Sequence, residues 1–164
     1  AHRGVKRQRL AVEPLVSGYG TCHNRTMDAR NSGDLEAALA GVESAVTLVF
    51  FTQTFGCETC LPARQVVDQL ASFSDRISVE EFNLVLDKTE VKAYGIQRAP
   101  AIVVVGEEDT GIRFYGAPEG HELVSLVEAI ALVASRDSGL SDESRARIAG
   151  VDQPIDIQVF ATPT

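Results

Sequence analysis

Ala45-Val46-Thr47-Leu48-Val49-Phe50-Phe51, then a polar loop from Thr52 to Gly56, then Cys57-Glu58-Thr59-Cys60 and a helical pattern through Val66, Val67, Leu70 and Phe73 form the stretch that decides how this chain folds. The first seven residues are a nearly continuous run of apolar, β-branched and aromatic side chains. Such a run reads as a strand buried on both faces, as in a sheet covered by helices on each side. The local order is therefore strand, short loop, paired cysteines, helix.

That order gives the cysteine spacing a chemical meaning. A strand that delivers Cys57 to the start of a helix sets it beside unpaired backbone N–H groups and the positive end of the helix dipole, which favour a negative sulfur. The thiol pKa falls and the thiolate fraction at neutral pH rises. Cys60, one turn later, returns toward the same face and can attack a mixed disulfide formed at Cys57. The competing reading is a structural or metal-binding pair, in which Cys22 and His23 complete a zinc site. Adjacent residues rarely reach one ion together, so no metal ligands are assigned. Cys22 reads as a free thiol.

Working outward, Asp34 precedes Leu35-Glu36-Ala37-Ala38-Leu39-Ala40 and Gly41, a short helix with an acidic first turn. Ile77 to Asn83 alternates as a second strand, and Thr89 to Tyr94 forms a short helix ending at Gly95. Ala101-Ile102-Val103-Val104-Val105 is another apolar strand. Glu107 to Gly111 is a solvated turn, and Gly111 to Gly116 is the returning arm of a hairpin. From Gly120 to Arg136, Leu123, Leu126, Val127, Ile130 and Val133 recur at helical spacing. Ser141 to Ala149 is a short capped helix and Ile155 to Phe160 a further strand. From residue 45 the order is β-α-β-α-β-β-α, which predicts an α/β fold with a central mixed sheet covered by helices. Pro100, just ahead of an apolar strand, suits a cis bond in a tight turn. That turn exposes the backbone of Ala99 for pairing with an extended substrate.

The whole chain sets bounds on these readings. Its 164 residues carry 45% hydrophobic and 23% charged side chains, the composition of a globular protein. No apolar run reaches the roughly 18 to 20 residues of a spanning helix, so no membrane partner is expected. A formal charge of −8 argues against nucleic acid as a partner. The charge is uneven. Residues 1–30 hold six Lys/Arg against Glu13 and Asp28, a net of +4 that leaves −12 for the rest. With Met27 the only methionine, residues 1–26 read as a non-native or flexible basic arm. Without a secretory pattern the expected compartment is the cytoplasm, where paired cysteines are more often catalytic than structural.

Cys57-Glu58-Thr59-Cys60 after the first buried strand, with Pro100 before the hairpin, resembles the thioredoxin fold and its redox site. Val49-Phe50-Phe51-Thr52-Gln53, Tyr94-Gly95-Ile96-Gln97-Arg98-Ala99-Pro100 and Gly111-Ile112-Arg113-Phe114-Tyr115-Gly116-Ala117-Pro118 are similar to the first unit of the glutaredoxin-like protein disulfide oxidoreductases. That family is built from two tandem thioredoxin folds. The resemblance runs from about Met27 to the C-terminus, where Ile157 to Thr164 looks like the strand and loop leading into the second unit's own Cys-x-x-Cys. It implies a thioredoxin-like domain over 27–138, with 139–164 as a linker helix and the first strand of a second unit, shortened here. The edge of that terminal strand suits dimerisation.

The sequence departs from the pattern in places. Phe51 stands where ordinary thioredoxins carry an acid six positions before the first cysteine. Glu58 opposes thiolate formation at its neighbour, and Pro62 falls early in the helix. The paired-glycine and aspartate motif of glutathione-binding glutaredoxins is missing after Pro100, which favours protein disulfides as substrates. The expected activity is thiol–disulfide exchange on proteins, with Cys57 and Cys60 catalytic, Ala99 and Pro100 binding substrate, no cofactor, and a thioredoxin-reductase-like electron donor. The alternatives are a non-catalytic scaffold or docking half of a tandem protein, and a zinc-binding module. His121 and Arg98 read as solvated side chains, and Tyr94, Phe114 and Tyr115 as packing residues.

Overall fold

The computed structural model describes residues 32–155. Within them the order is α1 (Ser32–Leu39), β1 (Val46–Thr52), α2 (Cys60–Ser72), β2 (Ile77–Asn83), α3 (Lys88–Ala93), β3 (Ala101–Val105), β4 (Asp109–Tyr115), α4 (His121–Ser135) and α5 (Asp142–Ala149). The basic arm with Cys22 and His23, and the expected strand over 155–160, lie outside the described residues save for Ile155.

The four strands form one mixed sheet in the order β2-β1-β3-β4. β1 pairs parallel with β2, from Val46↔Ile77 to Thr52↔Asn83, and a parallel pair requires a crossover, which α2 supplies. β1 pairs antiparallel with β3, setting Phe51 opposite Ala101, and β3 turns back into β4. β1 is thus central and covered on both faces, as its unbroken apolar run predicts.

Alternation along β1 divides the core. Val46, Leu48 and Phe50 point with Ile102 and Val104 into a cluster closed by Leu35 and Leu39 of α1, Val67 and Leu70 of α2, and Leu126, Val127 and Ile130 of α4. Val49 and Phe51 point the other way, with Ala101, Val103 and Ile96, beneath Phe82, Val91 and Tyr94. One face is closed by three helices and the other chiefly by the short α3. Gly95 ends α3 at a φ of +66°, a conformation only glycine adopts at little cost.

The expected boundaries shift in two places. α1 begins at Ser32, two residues before Asp34. The hairpin turn is tighter than Glu107 to Gly111, because β4 already starts at Asp109 and an irregularity lies between Val103 and Val105. Its acids are not simply solvated: Asp109 is bridged by Arg113, and Glu107 pairs with Arg136. Ser141 caps α5, its hydroxyl accepting from the Ser144 amide at 3.3 Å. Among the described residues no helix is long and apolar enough to cross a membrane.

Candidate redox site

The strand register assembles the site. β1 ends at Thr52, β2 at Asn83 beside it, and β3 begins at Ala101 opposite Phe51. The loop carrying the cysteines, the turn after β2 and the Arg98-Ala99-Pro100 segment therefore emerge at one end of the sheet. Cys57 and Cys60 are joined there in a disulfide, with Cα atoms 5.4 Å apart. Cys57 is half-buried, whereas Cys60 is buried.

The loop between strand and disulfide is held locally. Gln53 Nε2 donates to the Phe55 carbonyl at 2.7 Å, and Gly56 turns the chain at a φ of +71°. The Cys60 amide donates back to the Cys57 carbonyl at 3.4 Å, and regular helix begins only at Cys60, with Thr59 as an N-cap that makes no side-chain cap bond. Cys57 thus precedes the helix by three residues instead of opening it. Pro62 is the third helical residue, a position whose N–H would have no intrahelical partner, so it neither removes a bond nor moves the helix start.

Pro100 follows a cis peptide bond from Ala99. Its carbonyl accepts from the Gly116 amide at 3.0 Å, and the Arg98 guanidinium lies 4.7 Å from the centre of the Tyr115 ring. The segment expected to meet substrate is thereby fastened to β4, and Arg98, exposed as expected, also stacks on a ring. Under the site, Phe51 is fully buried, 5.7 Å from Phe82 and edge-on to Tyr94 at 5.8 Å. Phe51, Phe82 and Tyr94 pack there as an aromatic trio. His121, the first residue of α4, is exposed.

Two features escape a reading of the sequence. Asn83 organises the turn after β2: its Oδ1 accepts from the Val85 and Leu86 amides at 2.9 and 3.2 Å, and its Nδ2 donates to Thr54 Oγ1 at 3.3 Å. Its own amide donates to the Asp87 carboxylate at 2.5 Å. An Asn at a strand end followed four residues later by Asp is a signal for such a turn. The second is the exposure of Phe55, Leu61, Val85 and Leu86, whose segments emerge at the same end of the sheet as the disulfide.

A disulfide between a half-buried and a buried cysteine, at the end of a central strand and beside a cis-proline turn, is the arrangement of a thioredoxin-fold redox site. Comparison with known proteins agrees. Over 86 residues the chain is 31% identical to a thioredoxin of Methanocaldococcus jannaschii, a match spanning 52% of this chain and 95% of that one. It is 44% identical over 72 residues, 43% of its own length, to an NADH dehydrogenase of Ferdinandcohnia aciditolerans. A protein disulfide oxidoreductase from Aeropyrum pernix shares its fold, with a TM-score of 0.66 at 22% identity over 73% of this chain. The chain spans 12% of the length of that NADH dehydrogenase and 53% of that oxidoreductase. No family model matches. The chain belongs to the thioredoxin family.

Proposed function

We propose that this protein exchanges disulfides with other polypeptides, with Cys57 as the attacking sulfur and Cys60 as the resolving one. The observation that carries the reading is the Cys57–Cys60 disulfide at the sheet end, with its partly exposed sulfur first in the chain and its buried sulfur second. In the reduced protein, the uncapped amides at the start of α2 favour a Cys57 thiolate. That thiolate attacks one sulfur of a substrate disulfide, forming a mixed disulfide and expelling the other substrate sulfur as a thiolate that takes a proton from water. Cys60, losing its proton, then attacks the Cys57 sulfur. This closes Cys57–Cys60 and releases the second substrate thiol, so two substrate thiols form for each protein disulfide. Ala99 presents its backbone to the substrate on the β3 side, in the turn that Pro100 shapes.

The cycle needs a dithiol or a thioredoxin-reductase-like donor to reopen the Cys57–Cys60 bond, and the cytoplasm is the compartment in which reduction or isomerisation is the favoured direction. Residues 27–138 make up the redox unit in this reading. α5, which buries no residue, supports 139–164 as a linker toward further structure. An insulin disulfide reduction assay on the wild type and on Cys57→Ser tests the assignment. Activity is expected only in the wild type, and equal activity in both overturns it.

A further inference from the structure

Residues 32–155 carry twenty Asp/Glu and only nine Lys/Arg. Four of those cations are paired with acids: Arg64 with Asp68 and Glu81, Arg113 with Asp109, Arg136 with Glu107 and Arg145 with Asp137. The other five have no ion-pair partner among the described residues. Arg76 stands before β2 and Arg147 on α5, but Lys88 and Lys92 share α3, and Arg98 follows in the segment leading to β3. These three side chains are exposed, and the two lysines are the only ones among the described residues.

The fold sets the three charges on one face at the redox end. α3 leaves the turn that Asn83 organises, where the Asp87 amide donates to the Asn83 carbonyl at 2.9 Å, and the chain then returns to the cis bond at Pro100. Val91 and Tyr94 pack α3 against Phe51 and Ile96. Lys88 and Lys92, one helical turn apart, therefore line an open depression with Thr89 and Ala93. Arg98 is held over Tyr115, a residue that packs on the same face. The acids of this face do not cancel the charges. Asp87 accepts the Asn83 amide, and Asp109 is bridged by Arg113. Glu90 is two residues from each lysine and so lies on the other flank of the helix. Glu80 is three residues back along β2 from the redox end.

We propose that this α3 face is a docking surface for an acidic protein, and that it orients such a partner so that its disulfide or dithiol meets Cys57. The inference rests on the exchange reading above and adds the surface chemistry of the partner. Charge complementarity identifies the occupant. A chain so rich in carboxylates repels an acidic partner from most directions, and the approach over Lys88, Lys92 and Arg98 is the one that attracts it. Glu58, between the cysteines, keeps the partner's acids away from the sulfur itself. The same excess of carboxylates disfavours nucleic acid, whose charge runs along its whole length instead of forming one patch.

The test uses two disulfide-linked peptides, alike except that a run of Glu beside the cysteine in one is Gln in the other. At an ionic strength of about 10 mM, where charges act over roughly 30 Å, the wild type is expected to show a kcat/KM about tenfold higher for the Glu peptide. That preference should vanish at about 1 M salt, where the range falls to about 3 Å. Lys88→Gln, Lys92→Gln and Arg98→Gln should each lower the ratio about twofold, and together return it to near one. Arg147→Gln removes the same charge from α5 and should leave the ratio near its wild-type value. A wild-type ratio near one, or equal losses from Lys92→Gln and Arg147→Gln, overturns the proposal. A cysteine-free copy of the Glu peptide, followed by fluorescence anisotropy, reads docking without turnover. It should bind the wild type more tightly than the triple variant, and equal affinity overturns the docking face even if insulin reduction succeeds. Failure of the exchange reading shows instead as insulin reduction that survives Cys57→Ser. Sedimentation at low salt covers a second copy: a dimer that the triple variant dissociates would assign the face to it and overturn the proposal. A single-stranded oligonucleotide bound more tightly than the Glu peptide would assign the face to nucleic acid, with the same consequence.

Discussion

Replacing Phe51 by alanine probes the reasoning about the site most sharply, because this residue joins the central strand to both neighbours beneath the cysteine loop. Its ring is fully buried, contacts Phe82 and Tyr94, and its backbone is opposite Phe82 on one side and Ala101 on the other. Removing a buried phenylalanine side chain costs about 3 to 5 kcal/mol, in which the lost transfer free energy and the cavity both count. The two aromatic contacts, each about 0.5 to 1.5 kcal/mol beyond area burial, place the expectation near the middle of that range, about 4 kcal/mol. With an m-value of about 2 kcal/mol per M, the urea midpoint falls by about 2 M. Phe51→Leu, which keeps most of the apolar volume, should lose roughly half as much. A second readout ties stability to the site: in the reduced protein, Cys60 should be alkylated faster by iodoacetamide in Phe51→Ala than in the wild type, since loosening this end of β1 opens the shielded thiol. A stability loss below about 1.5 kcal/mol, or unchanged alkylation of Cys60, would refute the view that the aromatic trio supports the redox loop.

Two further outcomes follow from the same geometry. Cys60→Ser should accumulate a covalent mixed disulfide between Cys57 and a protein substrate, visible as a mass increase that dithiothreitol removes, while Cys57→Ser should accumulate none. Hydrogen bonding from Arg113 holds the Asp109 carboxyl below its ordinary value of 3.8, with the Gly111 amide contributing in the same sense. A depressed folded pKa gives stability that is present above the unfolded value and lost as pH falls through the lower folded one. Asp109→Asn should therefore cost less than about 1 kcal/mol at pH 7, as befits a partly exposed pair. In chemical denaturation that difference should shrink as pH drops below 3.8.

Much of the fold is legible locally because its signals are local. Apart from Thr47, the run from Val46 to Phe51 is apolar on both alternations, and its β-branched and aromatic residues favour a covered strand. The spacing of Leu123, Leu126, Val127, Ile130 and Val133 admits only a helix with one buried face. Ser141 announces the start of α5 by its own hydroxyl. The displaced boundaries have tertiary causes. Asp109 enters β4 instead of the turn because pairing with Val105 and the Arg113 bridge compensate for a residue that by itself prefers loops. Arg98 is exposed, as its reading as a solvated side chain expects, and what only the fold adds is the Tyr115 ring that β4 brings beneath it.

For the site the division is similar. Spacing, read in its strand-loop-helix context, pointed to Cys57 and Cys60 as an exchanging pair, and Pro100 just ahead of an apolar run pointed to a turn at the entry of a strand. Tertiary structure decided what surrounds them, because β1 and β2 are parallel and end together while β3 enters from the same side. That register brings Thr54 to Asn83 and sets the segments of Phe55, Val85 and Leu86 at the disulfide end of the sheet. A pattern of period two or 3.6 records which face of an element is buried. It carries no record of which distant loops share one end of a sheet.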